Sequence, residues 1–173
     1  MDDKDLIAKV VCFAETAITD FMRNDDYDAA AIAFNMDAAN NLVNISLASA
    51  ANNREAFEEY KKLAYLSENL QPHKKYGNIS KLPYNLEALW ERPNIASLEL
   101  LADAEQIEVR GEKRVKKFYK ICCNAMLDFM YTEVFDKLRK EHERFAFQVI
   151  NKGDSEDMAT EYMRNTHKNR PRR

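Results

Sequence analysis

Between residues 4 and 23 the apolar side chains Leu6, Ile7, Val10, Ala14, Ala17, Ile18, Phe21 and Met22 return at helical spacing, which predicts an amphipathic helix. The polar break Asn24–Asp28 leads into two runs with strand-type alternation. Ala30, Ile32, Phe34 and Met36 alternate in the first, and Val43, Ile45 and Leu47 in the second. Asp37–Asn41 between them is rich in residues that tolerate turn conformations, so the pair reads as a β-hairpin. Asn52 with Glu55 three residues on suggests a capped helix start, and Ala56, Phe57, Tyr60, Leu63 and Ala64 mark a helix face to about residue 68. Residues 69–94 lack period, carry Pro72, Pro83 and Pro93, and hold Tyr76, Tyr84 and the only tryptophan, Trp90, which reads as a long aromatic loop. A short helix is expected over 95–106, with Gly111 separating it from a long helix over about 112–140. Arg144–Asn151 alternates again, with Phe145, Phe147 and Val149 on one side, and predicts a third strand. Gly153–Asp157 reads as a turn opening an acid-rich helix to about Asn165.

The long helix says most about architecture. From Phe118 to Phe135, 13 of 18 residues are apolar. Lys120, Asn124, Asp128 and Thr132, spaced by four, drift only about 40° per step and form one narrow polar stripe. A helix this apolar must be covered on several sides, either at the centre of the domain or in a homodimer interface. The expected fold is therefore α+β: a small antiparallel sheet, made of the hairpin and a C-terminal strand, packed against a long, largely buried helix and several shorter helices. One domain over residues 1–166 suits a chain of 173 residues, with 167–173 as a basic, frayed tail.

Composition narrows the function. Hydrophobic residues make up 46% and charged residues 32%, with a formal net charge of −3, so no whole-molecule attraction to nucleic acid or anionic lipid is expected. Locally the charge separates. Asp25, Asp26 and Asp28 belong to an acidic N-terminal region, whereas Arg110, Lys113, Arg114, Lys116, Lys117 and Lys120 form a basic run. The first residues, MDDKDLIAKV, are acidic and amphipathic, unlike a secretory signal, and no apolar run reaches the roughly 18–20 residues of a membrane span. Three cysteines without framework spacing point to a reducing, cytoplasmic setting.

Motifs for chemistry are sparse. Gly77, Gly111 and Gly153 are isolated, so no phosphate-cradling loop is formed, and no cofactor is expected. His73, His142 and His167 have no partner at ligand spacing, so no metal site is expected, and Asp26 and Asp28 need none to explain a turn. Cys122 and Cys123 read as buried small hydrophobes, and no nucleophile elbow precedes a helix, so no catalytic residue is assigned. The polar stripe has two readings: groups that meet water, or the lining of a cleft. The basic run likewise reads as a solvated helix turn or as an electrostatic footprint. The loop aromatics Tyr76, Tyr84 and Trp90 either pack on the sheet or anchor a partner.

The stretch Phe145–Ser155 running on to Asn165, the early Asp28–Asp37 strand and Trp90 together resemble a family of uncharacterised bacterial domains of unknown function, some of which look like immunity proteins of polymorphic toxin systems. The resemblance implies a cytoplasmic protein, antitoxin in kind, that binds and neutralises a toxin domain by steric and electrostatic block. Candidate partner-binding residues are Asp25, Asp26, Asp28, Tyr76, Tyr84, Trp90, Arg110, Lys113, Arg114 and Lys117. The alternative is a nucleic-acid-binding module using residues 110–120 and the C-terminal arginines. A hydrolase built from scattered carboxylates is the third reading.

Overall fold

The computed structural model describes residues 2–23, 27, 29, 31–48, 95–100, 111–139 and 145–170. In chain order these form α1 (Asp3–Phe21), β1 (Ala31–Asp37), β2 (Leu42–Ala48), β3 (Ala96–Glu99), α2 (Gly111–Phe129), α3 (Glu133–Arg139), β4 (Ala146–Asn151) and α4 (Glu156–Lys168). The expected helix at 52–68 and the aromatic loop at 69–94 lie outside the described residues.

Local chemistry starts and stops these elements. Asp2 caps α1 by accepting from the Asp5 amide at 2.9 Å, and Asp5 returns the bond by accepting from the Asp2 amide at 3.2 Å. This reciprocal box satisfies two of the amides that a helix start leaves without partners. Leu6, Val10, Ala14 and Ile18 form its buried stripe. Asn41 takes the left-handed conformation, φ 60°, at the hairpin turn, which asparagine tolerates better than most residues. Ser155 caps α4 by accepting from the Met158 amide.

The fold is α+β. The described strands form one mixed, mostly antiparallel sheet in the order β3-β2-β1-β4. The hairpin pairs Phe34 with Ile45, and β4 runs parallel to β1 with Val149 beside Phe34. Among the described residues there are four strands where three were expected. The parallel pairing has a topological cause: β4 reaches β1 only after the chain has crossed through the helices, as parallel neighbours require. One face carries Ile32, Phe34, Met36, Val43, Ile45, Phe147 and Val149, all within the core. The other face buries Ala31, Ala33, Asn35, Ser46, Gln148 and Ile150.

Two expectations are corrected. Residues 96–99 are a strand, not part of a helix: Leu98 pairs with Val43 and Ala96 with Ile45, while Ser97 and Glu99 are exposed. The Ile95 amide donates to the Ile45 carbonyl and the Leu100 amide to the Asn41 carbonyl, both at 2.8 Å. Helix-forming composition loses here to an available sheet edge. The long helix is also two helices. Tyr131 and Thr132 tighten the end of α2 by donating to the Asp128 and Phe129 carbonyls, each at 3.0 Å. Thr132 then caps α3, its Oγ1 accepting from the Phe135 amide at 3.2 Å.

α2 is the central helix. It packs against α1, α4, β1 and β4, and Phe118, Ile121, Cys122, Ala125, Met126 and Phe129 are fully buried. Phe129 lies 6.3 Å from Phe34 and 5.6 Å from Phe135, which meets Phe145 edge-on at 5.4 Å. α2 and α4 run in the same direction, because Tyr119 stacks on Tyr162 at 4.1 Å and Asp128, further along, pairs with Arg170. No helix among the described residues is long and apolar enough to cross a membrane.

Candidate functional site

The polar stripe of α2 is largely occupied from within the chain. Lys120 Nζ pairs with Asp3 at 2.7 Å, so part of the acidic N-terminal charge is spent on an internal contact. Asn124 donates to the Lys120 carbonyl at 2.7 Å. Arg170 donates to the Asn124 carbonyl at 3.3 Å and pairs with Asp128, both partly buried. Residues 167–170 are therefore not frayed: His167 and Lys168 extend α4, and Arg170 fastens its end onto α2. The stripe works as a clasp for two other parts of the chain over its C-terminal half, and neither of its sequence readings covers that role. Burial and the nearby Arg170 hold the His167 imidazole below its usual pKa.

At its N-terminal end the same seam is open. Lys113 and Lys117 are one helical turn apart, in line with Lys120. Lys113 is exposed and Lys117 half-exposed. Lys116 pairs with Glu112 at 2.5 Å and Lys120 with Asp3, but neither Lys113 nor Lys117 has a carboxylate within ion-pair distance among the described residues. Like charges at this spacing destabilise a helix by about 0.2–0.5 kcal/mol.

Around the corner from this seam lies a cleft of about 600 Å³, lined by Asp37, Ala38, Ala39 and Asn40 after β1, by Gly111, Arg114 and Val115 of α2, and by Asn151 and Lys152 after β4. Its walls are fixed by hydrogen bonds. Asn151 Oδ1 accepts from the Ala38 amide at 3.0 Å, and the Asn151 amide donates to the Tyr119 hydroxyl at 3.1 Å. That hydroxyl donates to Asp154 at 2.9 Å. Burial, with the Asp154 carboxylate beside it, pushes the Tyr119 phenol far above its ordinary pKa, so it stays a donor at any working pH. Asp37 accepts from the Asn40 side chain at 2.8 Å and the Asn40 amide at 3.2 Å, and Lys152 sits 3.7 Å away. These donors hold the Asp37 carboxyl below its usual pKa.

Of the residues expected to bind a partner, Lys113 and Lys117 share the open seam and Arg114 lines the cleft. Asp25, Asp26, Asp28, Tyr76, Tyr84, Trp90 and Arg110 lie outside the described residues. Asp37, Asn40, Asn151 and Lys152 went unmarked in the sequence. Their only local signal is turn chemistry, and their meeting is a product of the β1–β4 pairing. Cys122 and Cys123 are fully buried, and desolvation pushes both thiols well above their ordinary pKa. Among the described residues no three His, Cys, Asp or Glu side chains gather as a metal set. Comparison with protein-family models, curated proteins and solved structures finds no match for this chain.

Proposed function

We propose that this chain is a protein-binding protein of the immunity kind, which neutralises a toxin domain or another acidic macromolecular partner by covering its surface. The observation that supports this reading is the pair Lys113 and Lys117, two cations in line on a rigid helix with no acid beside them among the described residues. An acidic partner would relieve their repulsion, and complementary charge speeds encounter more than it tightens the final complex. α2 is anchored on several sides by α1, α4 and the sheet, so the backbone that carries the lysines loses little conformational freedom on binding. The same pair gives the nucleic-acid reading its footing. That reading loses one of its C-terminal arginines, because Arg170 is committed to Asp128 and the Asn124 carbonyl.

The test uses the full chain as bait in cell extract, beside a Lys113→Glu/Lys117→Glu variant. A protein held by the wild-type chain, released by moderate salt and absent from the variant supports the proposal, provided that its own activity falls when the wild-type chain is added back. Equal recovery on both baits rules this surface out. Labelled single- and double-stranded oligonucleotides, titrated at low salt, separate the second reading: binding there that weakens steeply with salt would replace the first.

A further inference from the structure

We propose that the lysine seam of α2 is a track for an acidic peptide segment of the partner, with Asp3 as its internal competitor, holding Lys120 until the partner's carboxylates displace it. The inference rests on the protein-binding reading and names the chemistry of that contact. Lys113, Lys117 and Lys120 follow one another along one line of the helix, and at a rise of 1.5 Å per residue they span about 10 Å of its axis. An extended peptide sets same-side residues about 7 Å apart, so two or three side chains of an acidic run match that length. α1 decides which part of the seam is open. It begins beside Lys120, where Asp3 makes its 2.7 Å pair, and beyond its end Tyr27 reaches the Lys137 carbonyl. α1 therefore runs in the direction of α2 and α3, and Lys117 and Lys113 lie before the level at which it starts. Lys113 also stands in the first turn of α2, where the helix dipole disfavours a cation. Helix stability does not account for its placement.

The Asp3–Lys120 pair is the internal pattern for a carboxylate seated on this seam, and it can be undone. The Lys120 side chain is 65% exposed and that of Asp3 36%, so water screens the pair and a partner can reach the lysine. The start of α1 does not depend on it, because the cap there is made by Asp2 and Asp5. An incoming acidic run exchanges one ion pair for another at Lys120, releases Asp3 to water, and gains new pairs at Lys117 and Lys113.

The experiment is a fluorescence-anisotropy titration of a labelled decaglutamate peptide with the full chain at low salt. Saturable binding is expected, weakened about three- to tenfold in Lys113→Gln/Lys117→Gln and strengthened about two- to fivefold in Asp3→Asn, the scale of one or two exposed ion pairs. The Asp3→Asn gain should largely vanish on a Lys120→Gln background, which separates release of Lys120 from a mere change in net charge. Absence of saturable binding overturns the proposal, as does equal binding by wild type and the Lys113→Gln/Lys117→Gln variant. An Asp3→Asn gain that is absent, or that survives undiminished without Lys120, overturns the competitor role. A single-stranded oligonucleotide of the same charge that binds more tightly than the peptide overturns the choice of carboxylates. Capture of a partner from cell extract draws on that partner's whole surface, so the protein-binding reading stands or falls separately.

Discussion

Removing one oxygen from Tyr119 isolates the hydrogen bonds that tie α2 to the end of the sheet. The phenol accepts from the Asn151 amide at 3.1 Å and donates to Asp154 Oδ2 at 2.9 Å, while its ring, fully buried, stacks on Tyr162. Tyr119→Phe keeps the ring and the stack, so the change reports on the two hydrogen bonds alone. A buried amide that loses its acceptor costs about 1–3 kcal/mol, and a bond to a charged carboxylate contributes about 1.5–3 kcal/mol. Asp154 is only half-buried, so water recovers part of the second loss. The sum is about 2–4 kcal/mol. For a chain of this size 1 kcal/mol moves the midpoint by about 2–4 °C, which gives a fall of about 4–16 °C. Urea unfolding followed by circular dichroism should show the lower midpoint with an unchanged slope, since the surface exposed on unfolding is the same. Tyr27→Phe is the control, because that hydroxyl donates to the Lys137 carbonyl at 3.1 Å in an exposed setting and should cost less than about 1 kcal/mol. A Tyr119→Phe cost no larger than the Tyr27→Phe cost would refute the reasoning, showing that water replaces the phenol at no penalty.

Three further outcomes follow from single groups. Thr132→Ala should lower stability by about 1 kcal/mol, measured by denaturant unfolding, because it removes the cap on the Phe135 amide at the break between α2 and α3. With a thiol reagent at neutral pH, Cys12 should react in the folded protein, whereas Cys122 and Cys123 should react only after denaturant is added, since burial keeps both as thiols. Asp37 has a folded pKa below its unfolded value, so its contribution is fully present above the unfolded value of about 4 and is lost as pH falls through the folded one. Asp37→Asn should therefore flatten the acid side of a stability-versus-pH profile below about pH 4 and leave the neutral side unchanged in slope.

Elements whose cause is local were legible in the chain. The amphipathic α1, the hairpin with its Asp37–Asn41 turn, the alternation of β4 and the Gly153–Asp157 turn that opens α4 each follow from residues within a few positions of one another. The heavy apolar content of residues 118–135 likewise announced a helical region covered on several sides. Lys113, Arg114 and Lys117 were legible as a basic group, because charge along a helix is a one-dimensional pattern. That Arg114 turns into a cleft while the two lysines stay on the seam was not.

What remained hidden depends on partners distant in sequence. Residues 96–99 have helix-type composition and become a strand only because β2 offers them an open edge. The direction of β4 is set by the route of the chain through the helices, which no period of two can encode. The polar stripe on α2 reads as a solvent exit, yet Asp3, 117 residues away, and Arg170, 42 residues away, close over it. The cleft joins three turns and helix ends that share no sequence pattern. Periodicity tells each side chain which way it faces relative to its own backbone; which surface it then meets is fixed only when the sheet and helices pack.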